Sequence, residues 1–160
     1  MPAARKVFIA GATGYMGSRL AAELLSRGHA VFGLARPGSE ARLPAVCRPV
    51  TGNALDGGSF TNAVDADTYV QLVGVAHPSP AKAQQFRDID EKSFDASLSV
   101  ALANRVRHFV YVSVAHPAPA MHAYIEVRSR CEDKLRQSGL NATILRPWYV
   151  LGPGHYWLTL

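Results

Sequence analysis

The chain opens on an unbroken apolar run, Val7-Phe8-Ile9-Ala10. Met16, Leu20, Leu24 and Leu25 then return at helical spacing, with Arg19, Glu23 and Arg27 off that stripe. This change of period predicts a buried strand over residues 6–10 and an amphipathic helix after it. Gly28 stands where the helix should stop, and residues 30–35 read as a second strand. Further along, residues 46–50 suggest a short third strand, with Pro49 at an end or edge, and residues 56–64 have helical character. A fourth strand is expected over residues 68–74. The loop Ala76-His77-Pro78-Ser79-Pro80 precedes a long helix, from about residue 81 to Asn104, whose apolar face is Ile89, Phe94, Leu98, Ala101 and Leu102. Residues 108–114 give the clearest later strand. The proline-rich stretch 115–120, a helix over 121–138 stopped at Gly139, and a strand over 142–145 follow.

Strands alternating with helices predict an α/β fold: a doubly wound, mostly parallel sheet with helices on both faces. With 160 residues, 48 % of them hydrophobic, residues 1–160 suit a single domain around one core. In such a sheet ligands gather at the carboxyl ends of the strands, where Gly11, Arg36, Asn53, Gly74, Ser113 and Pro147 are all placed by this reading.

Between the first strand and its helix lies Gly11-Ala12-Thr13-Gly14-Tyr15-Met16-Gly17. In this setting the first glycine permits a tight turn, the second lets backbone approach a phosphate, and the third lets helix and sheet close up. The helix N-terminus meanwhile presents free N–H groups to an anion. The expected ligand is a dinucleotide, cradled by Gly11, Thr13, Gly14, Tyr15, Met16 and Gly17. Arg36 lies 19 residues after Gly17, where a carboxylate would bind the ribose of NAD; arginine pairs instead with a 2′-phosphate. NADP(H) is therefore the preferred cofactor and NAD(H) the alternative, with Arg5 and Arg42 as further cations.

The net charge is +5, and its distribution is uneven: residues 1–50 hold seven Lys/Arg against two Asp/Glu, and the rest hold ten of each. The basic residues are scattered and carry no recognition motif, so a phosphate-rich small molecule accounts for them better than nucleic acid. No apolar run reaches membrane-spanning length, and a soluble cytoplasmic protein is expected. Cys47 and Cys131 have no metal or redox spacing and are expected as free thiols. His77, His116 and His122 fall in loops without a carboxylate or cysteine at ligand spacing, so no metal site is expected.

Tyr124 and Arg128 are spaced i,i+4 on a predicted helix, and Ser113 ends the preceding strand. These residues, the glycine turn, Leu34-Ala35-Arg36-Pro37-Gly38-Ser39, Phe109-Val110-Tyr111-Val112-Ser113, and Leu145-Arg146-Pro147 running on to Gly152-Pro153-Gly154 resemble the short-chain dehydrogenase/reductase superfamily. The likeness is to its extended and atypical branches, epimerase-like or NmrA-like. It implies Tyr124 as acid/base, Ser113 as a hydrogen bonder to substrate, and position 128 as the clamp on the nicotinamide ribose. The superfamily has lysine at that position; this chain has Arg128, which keeps the charge but cannot relay a proton. Asn53 stands where many members carry an aspartate near the adenine. Val73, Gly74 and Val75 become wall residues, and residues 147–150, Pro147 first, sit beside the nicotinamide. Arg128 with Glu132, and Glu126 with Arg130, read as i,i+4 pairs on a solvent face.

The resembling families continue well beyond the glycine-proline-glycine, so the part that would build a substrate pocket is short or missing here. The apolar tail 155–160 needs covering, and a homodimer is one way to do it. Two functions follow: an oxidoreductase or epimerase-like enzyme acting on an unidentified small carbonyl or sugar-nucleotide substrate, or a non-catalytic dinucleotide-binding sensor or scaffold.

Overall fold

The computed structural model describes residues 3–116 and 120–154. Six strands, β1 (Lys6–Ala10), β2 (Ala30–Ala35), β3 (Arg48–Thr51), β4 (Thr68–Gln71), β5 (His108–Val112) and β6 (Ala142–Leu145), form one sheet in the order β3-β2-β1-β4-β5-β6. Every pairing is parallel. The order reverses between β1 and β4, which opens a crevice at their carboxyl ends.

Helix α1 (Tyr15–Ser26) covers one face. Its Leu20, Leu24 and Leu25 pack on Val7, Ile9, Val31 and Val70. The opposite face carries α3 (Lys92–Ala103) and α4 (His122–Gln137). There Phe8, Tyr69 and Phe109 are register partners on adjacent strands, with ring centroids 4.9 and 5.3 Å apart. Phe94 of α3 closes on Phe109 and Tyr111, so one aromatic ladder ties three strands to a helix. The two polar groups placed in this layer are satisfied: Tyr69 donates to Ser97 at 3.0 Å, and Gln71 donates to Ser93 at 3.0 Å.

Several boundaries differ from those the sequence suggests. The third strand starts at Arg48, because Val46 has a left-handed φ of 72° and is exposed. Residues 56–64 form two 3₁₀ turns, Gly57–Ser59 and Thr61–Ala63, rather than one helix. β4 and β5 stop at Gln71 and Val112, so the residues after them are loop at the crevice. The long helix before β5 is composite: a 3₁₀ turn Pro80–Lys82, α2 (Ala83–Gln85), a π-helical turn Phe86–Glu91, then α3. Hydrophobic period alone does not register that extra residue in the turn. It places Phe86 and Asp90 inward.

Candidate active site at the carboxyl end of the sheet

The glycine turn is shaped by close contacts. Gly11 takes φ +89°, and a Cβ on it would sit 3.0 Å from the Leu72 backbone carbon of the neighbouring strand exit. A Cβ on Gly17 would run into the Gly11 carbonyl oxygen and stand 2.7 Å from the Ala12 Cα. Both positions require glycine, Gly11 for its left-handed φ against the Leu72 backbone and Gly17 for the close approach of α1 to the end of β1. Gly14 is the N-cap, with no side-chain cap and no acidic residue in the first turn of α1. The positive end of the helix is thus left available to an anion. The arrangement fits a pyrophosphate.

The turn opens into a cleft of about 580 Å³. Its lining brings together Gly11, Gly14, Tyr15, Met16 and Gly17 with Gly74, Ser113, Tyr124, Arg128 and Pro147 from distant parts of the chain. Thr13, Val73, Arg36 and Asn53 lie outside that lining. Thr13 turns its carbonyl toward Arg42 Nη2, 3.5 Å away. Val73 packs into the larger core beneath the loop. Asn53 is exposed past β3, and its Oδ1 accepts from the Leu55 amide at 3.0 Å. Arg36 is exposed at the end of β2. Arg42 belongs to the 3₁₀ turn Glu40–Arg42, whose Glu40 is engaged by Thr51 Oγ1 at 3.2 Å. Arg36 and Arg42 are thus both past the carboxyl end of β2. Arg5 does not join them: it precedes β1, at the amino end of the sheet.

Arg128 is buried, and its guanidinium is fully engaged on one side. Nη2 donates to Asp90 Oδ1 at 2.5 Å, and Nη1 donates to the Val112 carbonyl at 2.8 Å and to the Tyr111 hydroxyl at 3.4 Å. The second Asp90 oxygen accepts from the Val75 amide at 2.9 Å. This one pair thus joins the π-helical turn, the loop after β4, the end of β5 and α4. Gly74 leaves the room for it, since a Cβ there would lie 2.6 Å from Nη2 and 3.0 Å from Asp90 Oδ1. Burial pushes the Asp90 carboxyl up from its ordinary value, against the pull of Arg128 and the Val75 amide. Arg128 Nε is buried without a hydrogen-bond partner among the described residues.

Tyr124 lies one turn earlier on α4, half-buried, its ring 4.8 Å from Phe86 and 5.0 Å from the Arg128 guanidinium carbon. Burial raises its phenol, and Arg128 only partly offsets that rise. Ser113 is buried just past β5; its Oγ makes no well-formed hydrogen bond, while Glu132 is near enough to feel the hydroxyl. Arg128 and Glu132 do not form the solvent-face pair expected of them: both are buried, and Glu132 instead binds Arg146 at 2.5 Å and Arg136 at 2.7 Å. Glu126 and Arg130 do pair on the surface, at 2.6 Å. Cys47 and Cys131 are free and buried. Among the described residues there is no His/Cys/Asp/Glu cluster able to hold a metal ion. No helix among them is long and apolar enough to cross a membrane.

The family model described as NAD(P)H-binding matches residues 11–153, nearly the whole described chain. The chain belongs to this NAD(P)H-binding family. Comparison with curated protein sequences returned no match. Among solved structures, the Bordetella bronchiseptica enzyme WbmH in complex with NAD⁺ superposes with a TM-score of 0.79 at 24 % identity, covering 96 % of this chain and 60 % of WbmH. A UDP-glucose 4-epimerase gives 0.78 at 17 %, covering 92 % and 53 %. The Brucella ovis UDP-glucose 4-epimerase in complex with NAD gives 0.75 at 16 %, covering 89 % and 51 %. These likenesses establish a shared Rossmann fold, and this chain spans about half to three fifths of those proteins. The family match supports binding of a nicotinamide dinucleotide.

Asp90 is the site residue that sequence reasoning missed. Its surroundings, Arg87-Asp88-Ile89-Asp90-Glu91, are mostly charged, so nothing singles Asp90 out in the sequence, and the π-helical turn that points it inward has no periodic signature.

Proposed function

We propose that the protein is an NADP(H)-dependent oxidoreductase of the epimerase-like type, with Tyr124 as its proton donor. The observation that carries the reading is the convergence of the glycine turn, Ser113, Tyr124 and Arg128 on one cleft. A bound nicotinamide dinucleotide supplies hydride exchange with a carbon centre. The chain's own part is positional: the α1 N-terminus holds the pyrophosphate, Arg36 and Arg42 meet a 2′-phosphate, and Pro147 with the residues after it border the nicotinamide. Ser113 and Tyr124 hold a substrate oxygen. Burial raises the Tyr124 phenol from its ordinary value, so it meets that oxygen as a neutral hydroxyl able to donate a hydrogen bond.

The test follows loss of reduced-nicotinamide absorbance with a panel of ketones, aldehydes and nucleotide sugars. Turnover by wild type, reduced about 100-fold or more in Tyr124→Phe, supports the reading. Equal turnover in the variant contradicts it.

A second reading, a non-catalytic dinucleotide sensor, draws support from the Arg128–Asp90 pair. Asp90 compensates the cation that would otherwise activate the phenol. This reading calls for cofactor binding without turnover, and for a protein partner whose binding changes with cofactor occupancy.

A further inference from the structure

We propose that the substrate half of the cleft accepts an apolar carbonyl compound bearing no phosphate group. The proposal rests on the oxidoreductase reading and names the substrate class it leaves open. Beyond Tyr124 the described wall is mainly apolar, with Val75, Val114, Ala115, Met121, Pro147 and Trp148, the last with 61 % of its surface exposed at the rim, and with His77 and Tyr149 also on the lining. A sugar nucleotide would bring a diphosphate to this wall, and an anion leaving water needs cations or converging amides.

The cations near the wall are already committed. Arg128 is matched by Asp90, and its remaining Nη1 contacts go to Val112 and Tyr111. Lys82, beside the 76–78 loop, donates to the carbonyls of Ala76 at 2.7 Å and His77 at 2.9 Å. The α1 N-terminus belongs to the cofactor's own pyrophosphate. Among the described residues this half of the cleft offers mainly apolar surface, with the hydroxyls of Ser113 and Tyr124 both on its lining, which suits one neutral oxygen on an apolar frame. In the reaction the carbonyl carbon takes a hydride from the reduced nicotinamide and the oxygen takes the Tyr124 proton. The products are an alcohol and oxidised nicotinamide, and solvent returns the proton to the phenol.

The experiment is calorimetric titration of 2-naphthaldehyde and, separately, UDP-glucose into the full chain saturated with NADP⁺, where no reduction can proceed. Expected is saturable binding of 2-naphthaldehyde, weakened about fivefold or more in Trp148→Ala and in Met121→Ala, and no binding of UDP-glucose. Saturable UDP-glucose binding, no 2-naphthaldehyde binding, or unchanged affinity in both variants overturns the proposal. A prior NADP⁺ titration separates the failures. No NADP⁺ binding overturns the cofactor reading, and the proposal with it. NADP⁺ binding without aldehyde binding overturns the substrate class alone. Aldehyde binding without turnover by NADPH supports the substrate class and contradicts the oxidoreductase reading.

Discussion

Asp90 and Arg128 place two opposite charges out of water, at the meeting point of four segments. Removing one partner strands the other, which costs far more than the pair contributes as a unit. Asp90→Asn should therefore lower stability by about 3 kcal/mol in denaturant unfolding, with little change in the denaturant slope. The same variant leaves the Arg128 charge uncompensated beside Tyr124, so the phenol pKa should fall from its raised value, as read by carbon-13 tyrosine NMR. A destabilised protein with an unmoved phenol would mean that the pair is structural only. Glu132 bears on acid stability. Burial alone would raise its carboxyl, but Arg146, Ser113 and Arg136 hold it down to about 2. Glu91 is likewise held to about 2, mainly by its hydrogen bond from Arg130. A carboxyl whose folded value lies below the unfolded one stabilises the fold above the unfolded value, 4.5 here, and that contribution is lost as pH falls toward 2. Stability should decline across that window, and Glu132→Gln should take up about one proton fewer on unfolding in it. An identical acid profile in the variant would contradict the assignment.

At the scale of elements, the contact between α1 and β1 decides whether the cradle exists. Gly17→Ala puts a methyl group against the Gly11 carbonyl and the Ala12 backbone, neither of which can yield as a flexible side chain would. A loss of about 2 kcal/mol or more in thermal or chemical unfolding is expected, together with loss of cofactor affinity. Wild-type stability in the variant would mean that the helix does not sit this close. This junction was legible from the chain alone, because a strand's apolar run, three glycines and a helical stripe follow one another without a break. β1, β2 and β6 were legible for the same reason, each an apolar or β-branched run bounded by turn residues. The segment from Pro80 to Glu91 was not. Only Phe86 and Asp90 of it are buried, both in the π turn, so no apolar period marks where the backbone changes and Asp90 swings inward. Position 128 shows the same limit: i,i+4 spacing located Arg128 beside Tyr124, but its partner comes from 38 residues away in sequence. Glu132 looked like a surface acid from spacing, and only the three-dimensional approach of Arg146 explains its burial.

At the scale of the molecule, the excess positive charge of residues 1–50 is spread over both ends of the sheet: Lys6 and Arg48 begin strands, and Arg36 and Arg42 lie past the carboxyl end of β2, where the proposed 2′-phosphate site would be. Arg36→Asp should reverse the preference, lowering NADPH affinity about tenfold or more and raising NADH affinity, as measured by paired titrations. An unchanged NADPH/NADH ratio would remove the phosphate assignment. The far end of the molecule is a different surface. β6 is an edge strand with most of its residues exposed, and Leu145, Trp148, Tyr149 and Leu151 continue the apolar border past it. The loop they form is anchored at Pro153, whose carbonyl accepts from the Tyr15 hydroxyl at 3.1 Å and from Arg19 Nη2 at 3.2 Å. Tyr15, in the glycine turn, and Arg19 thus tie the start of α1 to the loop after β6.

Calorimetric titration of NADPH into wild type and Gly14→Asp tests the central claim most directly. Gly14 is the N-cap of α1 at φ −81° and ψ 177°, a conformation aspartate adopts readily, and aspartate there caps the helix while opposing an anion. The account predicts one NADPH bound per wild-type chain, and a folded variant that has lost about tenfold or more in affinity. Equal affinity in a folded variant, or no binding by wild type, would contradict it.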